Sequence, residues 1–183
     1  MAALPEDRTY TMEDIEALPE GQRAELVNGQ IYMMTPPKRL HQRISARIHQ
    51  ALLNHIDEEN LRCESYAAPF GVWPFADDKT YVEPDISVIC DESKLDDDGC
   101  KGAPDFVIEI ISQSETKDDI SRKFRIYHRA GVKEYWTIYS KERQIAKFLF
   151  KPELSFGLFS FDEDIPVSIC PGEFSINLGK MGF

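Results

Sequence analysis

Two acidic residues sit where acids rarely do. Asp85 lies in Val82-Glu83-Pro84-Asp85-Ile86-Ser87-Val88-Ile89, and Glu109 in Phe106-Val107-Ile108-Glu109-Ile110-Ile111. Each interrupts a β-branched run that reads as a buried strand. An uncompensated carboxylate is costly to bury, so both acids need partners. A divalent cation held between two neighbouring strands would satisfy them together. Mg²⁺ favours hard oxygen ligands and is often bound through one or two carboxylates plus water and substrate phosphate; Mn²⁺ suits the same donors. Such an ion activates water and stabilises charge building on a phosphate under attack. The expected chemistry is metal-dependent hydrolysis of a phosphodiester. The competing reading puts Asp85 at a strand end capping a turn and Glu109 at a solvent-facing sheet edge. Finding both acids in apolar runs beside polar loops favours the site.

Other residues could complete such a centre. Lys123 could orient water or stabilise the phosphate. On a helical wheel of 114–130, Ile120, Phe124 and Tyr127 form the packing stripe, Arg122, Arg125 and Arg129 point away, and Lys123 falls at the stripe's edge, within reach of a sheet. A solvated boundary lysine is the alternative. Glu25 could add a carboxylate, or pair with Arg23 or Arg39. His41, with an ordinary pKa near 6.5, could contact substrate or merely cap a helix. Gln113 lies four residues beyond Glu109 and could reach the same pocket. Arg43, with Lys38, Arg39 and Arg47, and Arg125, with Arg122 and Arg129, form two basic stripes that could hold phosphates, unless they are solvated faces. Tyr66, Trp73 or Tyr81 could stack on a base. No glycine-rich phosphate loop, His-Glu-x-x-His helix or serine nucleophile elbow is present.

These candidates depend on the elements that carry them. Thr11 can cap a short helix that Pro19 and Gly21 stop. Asn28-Gly29 predicts a type I′ hairpin within 24–34. Pro36-Pro37 opens a helix through about His55, whose buried face is Leu40, Ile44, Ile48, Leu52 and Ile56. One or two strands follow over 61–73, then a strand over 82–90, a polar loop over 91–102 and a second buried strand over 106–111. A helix over 114–130 ends at Gly131. Strands over 133–139 and 144–150 and a strand-rich tail from 154 to 183 complete a mixed, mostly buried sheet flanked by helices. The expected class is α/β, in one domain of 183 residues with its core at about 11–150.

Composition narrows the setting. Twenty-one basic against 32 acidic residues give a net charge of −11, which opposes encounter with a polyanion unless a local basic patch or metal acts at close range. No apolar run suggests a membrane span, and MAALPEDRTY lacks the basic start and apolar stretch of a secretory signal. Cys63, Cys90, Cys100 and Cys170 are widely spaced, so neither a zinc site nor a disulfide framework is expected, and a cytoplasmic location is the default.

The ordered series Glu25-Leu26-Val27-Asn28-Gly29, Pro84-Asp85, Glu109-Ile110-Ile111-Ser112, Asp118 to Lys123, Tyr127 and Gly131-Val132-Lys133-Glu134-Tyr135-Trp136 resembles the Uma-two family of endonucleases, within the restriction-endonuclease-like superfamily. The resemblance spans about Thr11 to Phe150. It implies a restriction-endonuclease-like core, metal ligation by Asp85 and Glu109, support from Glu25, and a helix-start histidine at His41. It also implies homodimers. The superfamily's usual lysine two residues after the second acid is replaced here by Ile111, and Lys123 is the matching charge on the following helix. The leading expectation is a Mg²⁺-dependent DNA endonuclease. A non-catalytic interaction or scaffold protein and a metal-dependent hydrolase of a small phosphorylated compound are the alternatives.

Overall fold

Alternation along Phe106–Ile111 divides the molecule into two layers. Phe106, Ile108 and Ile110 enter one apolar cluster, Val107 enters another, and Glu109 shares Val107's face. A computed structural model describes residues 2–3, 8–112, 115–169 and 173–183. Gln113, the proposed helix start at Ser114, and Cys170, Pro171 and Gly172 lie outside the described residues.

Along the chain, β1 (Ala2–Ala3) and α1 (Met12–Glu16) precede the hairpin of β2 (Ala24–Val27) and β3 (Gln30–Met33), which leads to α2 (Arg39–Glu58). Then come β4 (Glu64–Ala67), β5 (Gly71–Trp73), β6 (Ile86–Ile89), a 3₁₀ turn (Glu92–Lys94), β7 (Leu95–Asp96), β8 (Gly99–Lys101) and β9 (Phe106–Ile111). The last part holds α3 (Lys117–Ala130), β10 (Glu134–Tyr139), β11 (Gln144–Leu149), β12 (Ser155–Ser160), β13 (Ile165–Pro166) and β14 (Ser175–Ile176).

The central sheet runs β12-β11-β10-β9-β6-β4, with β9 and β10 parallel and the other neighbours antiparallel. The fold is therefore the expected α/β class with a mixed central sheet. The β9–α3–β10 crossover lays α3 on one face, where Ile126 and Tyr127 meet Val107, Val132 and Tyr135. On the other face α2 buries Ile44, Ile48, Leu52 and Ile56 against Ile86, Val88, Phe106, Ile108 and Ile110. Leu40, expected in that stripe, is 42% exposed. A strict four-residue repeat drifts by about 40° per step on a helix, which carries its first member off the sheet-facing side.

Local signals explain the helix ends. Thr116 Oγ1 accepts from Asp119 N (3.2 Å) while Thr116 N donates to the Asp119 carboxylate (2.9 Å), a reciprocal cap. Gly131 ends α3 at φ +94°, in the left-handed region. Asn28 and Gly29 both have positive φ (50° and 78°), as a type I′ turn requires.

Further expectations are corrected. The strand expected over 82–90 is only Ile86–Ile89, which leaves Asp85 just before it. The stretch 91–102 is not all loop: β7 and β8 form a hairpin, and β8 pairs with β5. Cys63 and Cys90 form a disulfide. Pairing of Glu64 with Ile89 makes these cysteines the next cross-strand neighbours, so the spacing that hides them in sequence disappears in the sheet. Cys100 is buried and unbridged.

Candidate functional site

The segment 81–85 ties the smaller sheets to the central one. Tyr81 bridges Leu26 of β2, Val82 bridges Val72 of β5, and Glu83 N donates to Glu25 Oε1 (3.0 Å). The next strand residues of β6 pair with β9 as Ile86↔Ile108 and Ser87↔Val107. The ladder stops at Ile86, one residue after Asp85, whose carboxylate reaches across to Ile110 N of β9, next in sequence to Glu109. The two acids that the sequence singled out are thus neighbours.

Each is anchored through one oxygen. Asp85 Oδ2 accepts from Ile110 N (2.7 Å) and lies 3.0 Å from His41 Nε2. Glu109 Oε1 accepts from Lys123 Nζ (2.9 Å) and from the Tyr127 hydroxyl (2.5 Å). Lys123 Nζ also donates to Glu25 Oε1 (2.7 Å), which already takes the Glu83 amide. Glu25 Oε2 is buried with no hydrogen-bond partner. All three carboxylates therefore spend one oxygen on the protein and keep the other outside that network.

α3 delivers the cation. Lys123 and Tyr127 are four residues apart, one turn, and both are buried. Lys123 stands at the centre of the buried face with Asp119 and Ile126, rather than at its edge, while Phe124 is only half-buried. Burial by itself would lower the pKa of the ammonium. The charges of Glu109 and Glu25 outweigh that and hold the pKa above its ordinary value. With one ammonium shared between two carboxylates, the deficit falls on the acids. Desolvation, with repulsion from Asp85 and Glu25, raises Glu109 well above the ordinary carboxylate range despite Lys123 and the Tyr127 hydrogen bond. Tyr127, raised by its own burial and by nearby Glu109, keeps its proton as a donor.

His41 belongs to this cluster. Burial pushes its pKa down, but the hydrogen bond and charge of Asp85 push harder, so the net shift is upward. Its Nδ1 is buried without a partner. The two arginines are not brought in. Arg43 stacks over the Phe183 ring (4.6 Å) and donates to Gly182 O (3.0 Å), bracing the chain end. Arg125 is exposed and lies about 200° around the helix from Lys123, on the side away from the acids.

The alternative for Glu25, pairing with Arg23 or Arg39, is not made: Arg23 pairs with Glu83, which also accepts from the Tyr81 hydroxyl (2.8 Å). The proposed stacking residues have partners of their own. Tyr66 stacks on Phe70 (4.1 Å), and Lys101 Nζ sits 3.1 Å from the Trp73 ring centre. By sequence pattern Tyr127 counts only as packing, one of the stripe Ile120, Phe124 and Tyr127. Its position four residues after Lys123 was the available signal.

Among the described residues, no group of three His, Cys, Asp or Glu side chains is arranged to cage a metal. An ion here would rest on Glu109 of β9 and Asp85, the residue just before β6, with water and substrate oxygens, as Mg²⁺ often does. The donor set fits that ion: hard oxygens, an orphaned Glu25 oxygen and excess negative charge. No helix among the described residues is long and apolar enough to cross a membrane.

Residues 12–178 match the model of the Uma2 family, described as "Putative restriction endonuclease". A curated relative, the "Uncharacterized protein slr1290" of Synechocystis sp., is 29% identical over 125 residues, 68% of this chain. The aligned part spans 64% of that relative's length. Among solved structures, the crystal structure of a putative nuclease belonging to DUF820 from Anabaena variabilis superposes with a TM-score of 0.74. It is 18% identical, and the match covers 93% of this chain and 96% of that one, a likeness of fold.

Proposed function

The chain belongs to the Uma2 family of putative restriction endonucleases, and we propose that it is a divalent-metal-dependent nuclease that hydrolyses phosphodiester bonds in DNA. The observation that carries this reading is the half-used carboxylate set: Asp85, Glu109 and Glu25 each bind the protein through one oxygen and leave the second outside the network. Asp85 and Glu109 would hold Mg²⁺ or Mn²⁺, with Glu25 completing the pocket. When bound, the ion would supply water activation and charge stabilisation at phosphorus.

The chain's own groups do the rest. An ammonium has three donors, and Lys123 spends two on Glu25 and Glu109. The third can orient the attacking water or bind a phosphate oxygen. Because Lys123 stays protonated, it acts as donor and positive charge rather than as base. His41, held by Asp85 at Nε2, can present Nδ1 to a phosphate oxygen. Arg43 and Arg125 would contribute only to more distant strand contacts.

The remaining assignments are proposals of the same kind. Residues 1–183 are read as one restriction-endonuclease-like domain; the cytoplasmic location expected from the cysteine spacing loses that support with the Cys63–Cys90 disulfide. A homodimer is favoured by outer strand β12 and its approach, where Leu154, Phe156 and Leu158 are 60%, 62% and 54% exposed. A small phosphorylated substrate is the second reading, favoured by Arg43 and Arg125 standing away from the acids and by the −11 charge.

Incubation with supercoiled, linear and single-stranded DNA plus Mg²⁺ or Mn²⁺, beside Asp85→Ala and Glu109→Ala, tests the reading. Cleavage by the parent protein and its loss in both folded variants is the expected result. Equal cleavage by the variants would remove the assignment. Turnover of a small phosphodiester without DNA cleavage would select the second reading, and metal binding with no turnover would select an inert scaffold.

A further inference from the structure

We propose that Tyr127 is a positioning residue of this site, holding Glu109 by one oxygen so that the other faces the ion; the inference rests on reading the acids as metal ligands. The Tyr127 ring is fully buried on α3, and its hydroxyl reaches Glu109 Oε1 at 2.5 Å. Lys123 reaches the same oxygen from one turn earlier. An ammonium on a four-carbon stem is a mobile point charge, and alone it would let the carboxylate swing. A phenol at the end of a packed ring has no such freedom. Two donors from one helix, converging on one oxygen, fix the plane of the carboxylate and the direction of Oε2.

The neighbouring ring shows that this contact is not simply what a buried tyrosine does here. Tyr135 is equally buried, with its ring centre 5.1 Å from that of Tyr127, yet its hydroxyl has no partner. The same cluster therefore contains one tyrosine hydroxyl aimed at an acid and one aimed at nothing. Hydrogen bonds to ligating carboxylates orient them, and losing such a bond typically costs about 10- to 100-fold in metal affinity or activity.

The test compares Tyr127→Phe with Tyr135→Phe. Free Mn²⁺ is followed by electron paramagnetic resonance as each protein is titrated. Tyr127→Phe is expected to weaken Mn²⁺ binding by about 10- to 100-fold, and Tyr135→Phe to leave it unchanged. The Mn²⁺ concentration for half-maximal DNA cleavage should shift by the same factor, with KM for DNA at saturating Mn²⁺ unchanged. Equal Mn²⁺ binding by Tyr127→Phe and the parent overturns the proposal, as do equal losses in the two variants, which would mark a packing effect. A parent protein that binds no Mn²⁺ overturns the underlying reading of the acids, and does so before any variant is made. Should Tyr127→Phe fail to fold, ultraviolet difference spectra of the parent and of Tyr135→Phe decide: Mn²⁺ should perturb a buried tyrosine band in both, and an absent band overturns the proposal.

Discussion

Replacing Lys123 by methionine tests the electrostatic core of the site. The substitution keeps an unbranched side chain of similar length and removes a buried ammonium bonded to Glu25 at 2.7 Å and Glu109 at 2.9 Å. Breaking a buried pair by deleting one partner costs about 3–5 kcal/mol. The stranded carboxylates have an escape, because one more of them can take up a proton. From an ordinary carboxylate pKa of about 4.3, that uptake costs about 3.7 kcal/mol at pH 7 and about 1 kcal/mol at pH 5, at 1.36 kcal/mol per unit. The escape therefore caps the loss near 3.7 kcal/mol at neutral pH and shrinks it as the solution is acidified. In the variant the native state binds about one more proton than the parent's native state across this range, so its stability must fall more steeply than the parent's as pH rises. Urea unfolding of both proteins in metal-free buffer at pH 5, 6, 7 and 8 measures the difference directly. At neutral pH the melting temperature should drop by roughly 6–15 °C for a domain of this size. Adding Glu25→Gln to the variant should recover part of the loss, since the two side chains share one network. A difference below about 1 kcal/mol, or one that does not vary with pH, would show that Lys123 is not the counter-ion of these acids.

The parent protein should itself show the Glu109 shift. With the folded pKa raised above the unfolded value, the metal-free protein loses stability as pH rises from about 4.3 through the elevated folded value, and Glu109→Gln should flatten that slope in urea titrations. The Cys63–Cys90 bridge closes a 27-residue separation, worth about 3.5 kcal/mol in the chain-entropy account; dithiothreitol should lower the melting temperature of the parent but not of Cys63→Ser/Cys90→Ser. Gly131→Ala forces a side chain onto φ +94° and sets its Cβ 3.2 Å from Lys151 Nζ, so a loss of roughly 1 kcal/mol by thermal unfolding is expected.

What was legible in the sequence and what was not divide along a physical line. Glu109 was visible because five apolar neighbours leave one acid nothing to do but find a partner, and the run Phe106–Ile111 became a strand with the expected ends. The hairpin at Asn28-Gly29 was visible because the turn needs positive φ at both positions. Lys123 was harder. Apolar periodicity set the inner face of α3 on Ile120, Phe124 and Tyr127, whereas the buried residues are Asp119, Lys123, Ile126 and Tyr127. A helical wheel assumes that the surface beneath is apolar. Here it carries two acids, which draw a lysine inward and shift the face. Tyr127 was assigned to packing because sequence pattern sees its ring and not its hydroxyl. The β7–β8 hairpin was hidden by the acidic run Asp96-Asp97-Asp98, although Asp98-Gly99 is itself a hairpin signal. The disulfide was hidden because register, not spacing, brings Cys63 to Cys90.

The lysine's place on a helix, rather than on the strand, follows from what it must reach. Residues 109 and 111 share a face of β9, so a lysine at 111 would start about 7 Å along the strand from Glu109 and could bend back to it. It would remain within the central sheet. Glu25 belongs to β2, in a separate sheet joined to the centre through the Leu26–Tyr81 bridge. An ammonium that serves both acids has to come from above the sheet, where both carboxylates converge, and α3 runs there because the β9–α3–β10 crossover packs it back over β9. Ile111 is then free to be apolar, and Lys123 gains a second anchor that a strand lysine would have lacked. One helix thus fixes Glu109 through Lys123 and Tyr127 together and links it to the hairpin. The same arrangement explains why loss of a single ammonium should be felt as stability as well as chemistry.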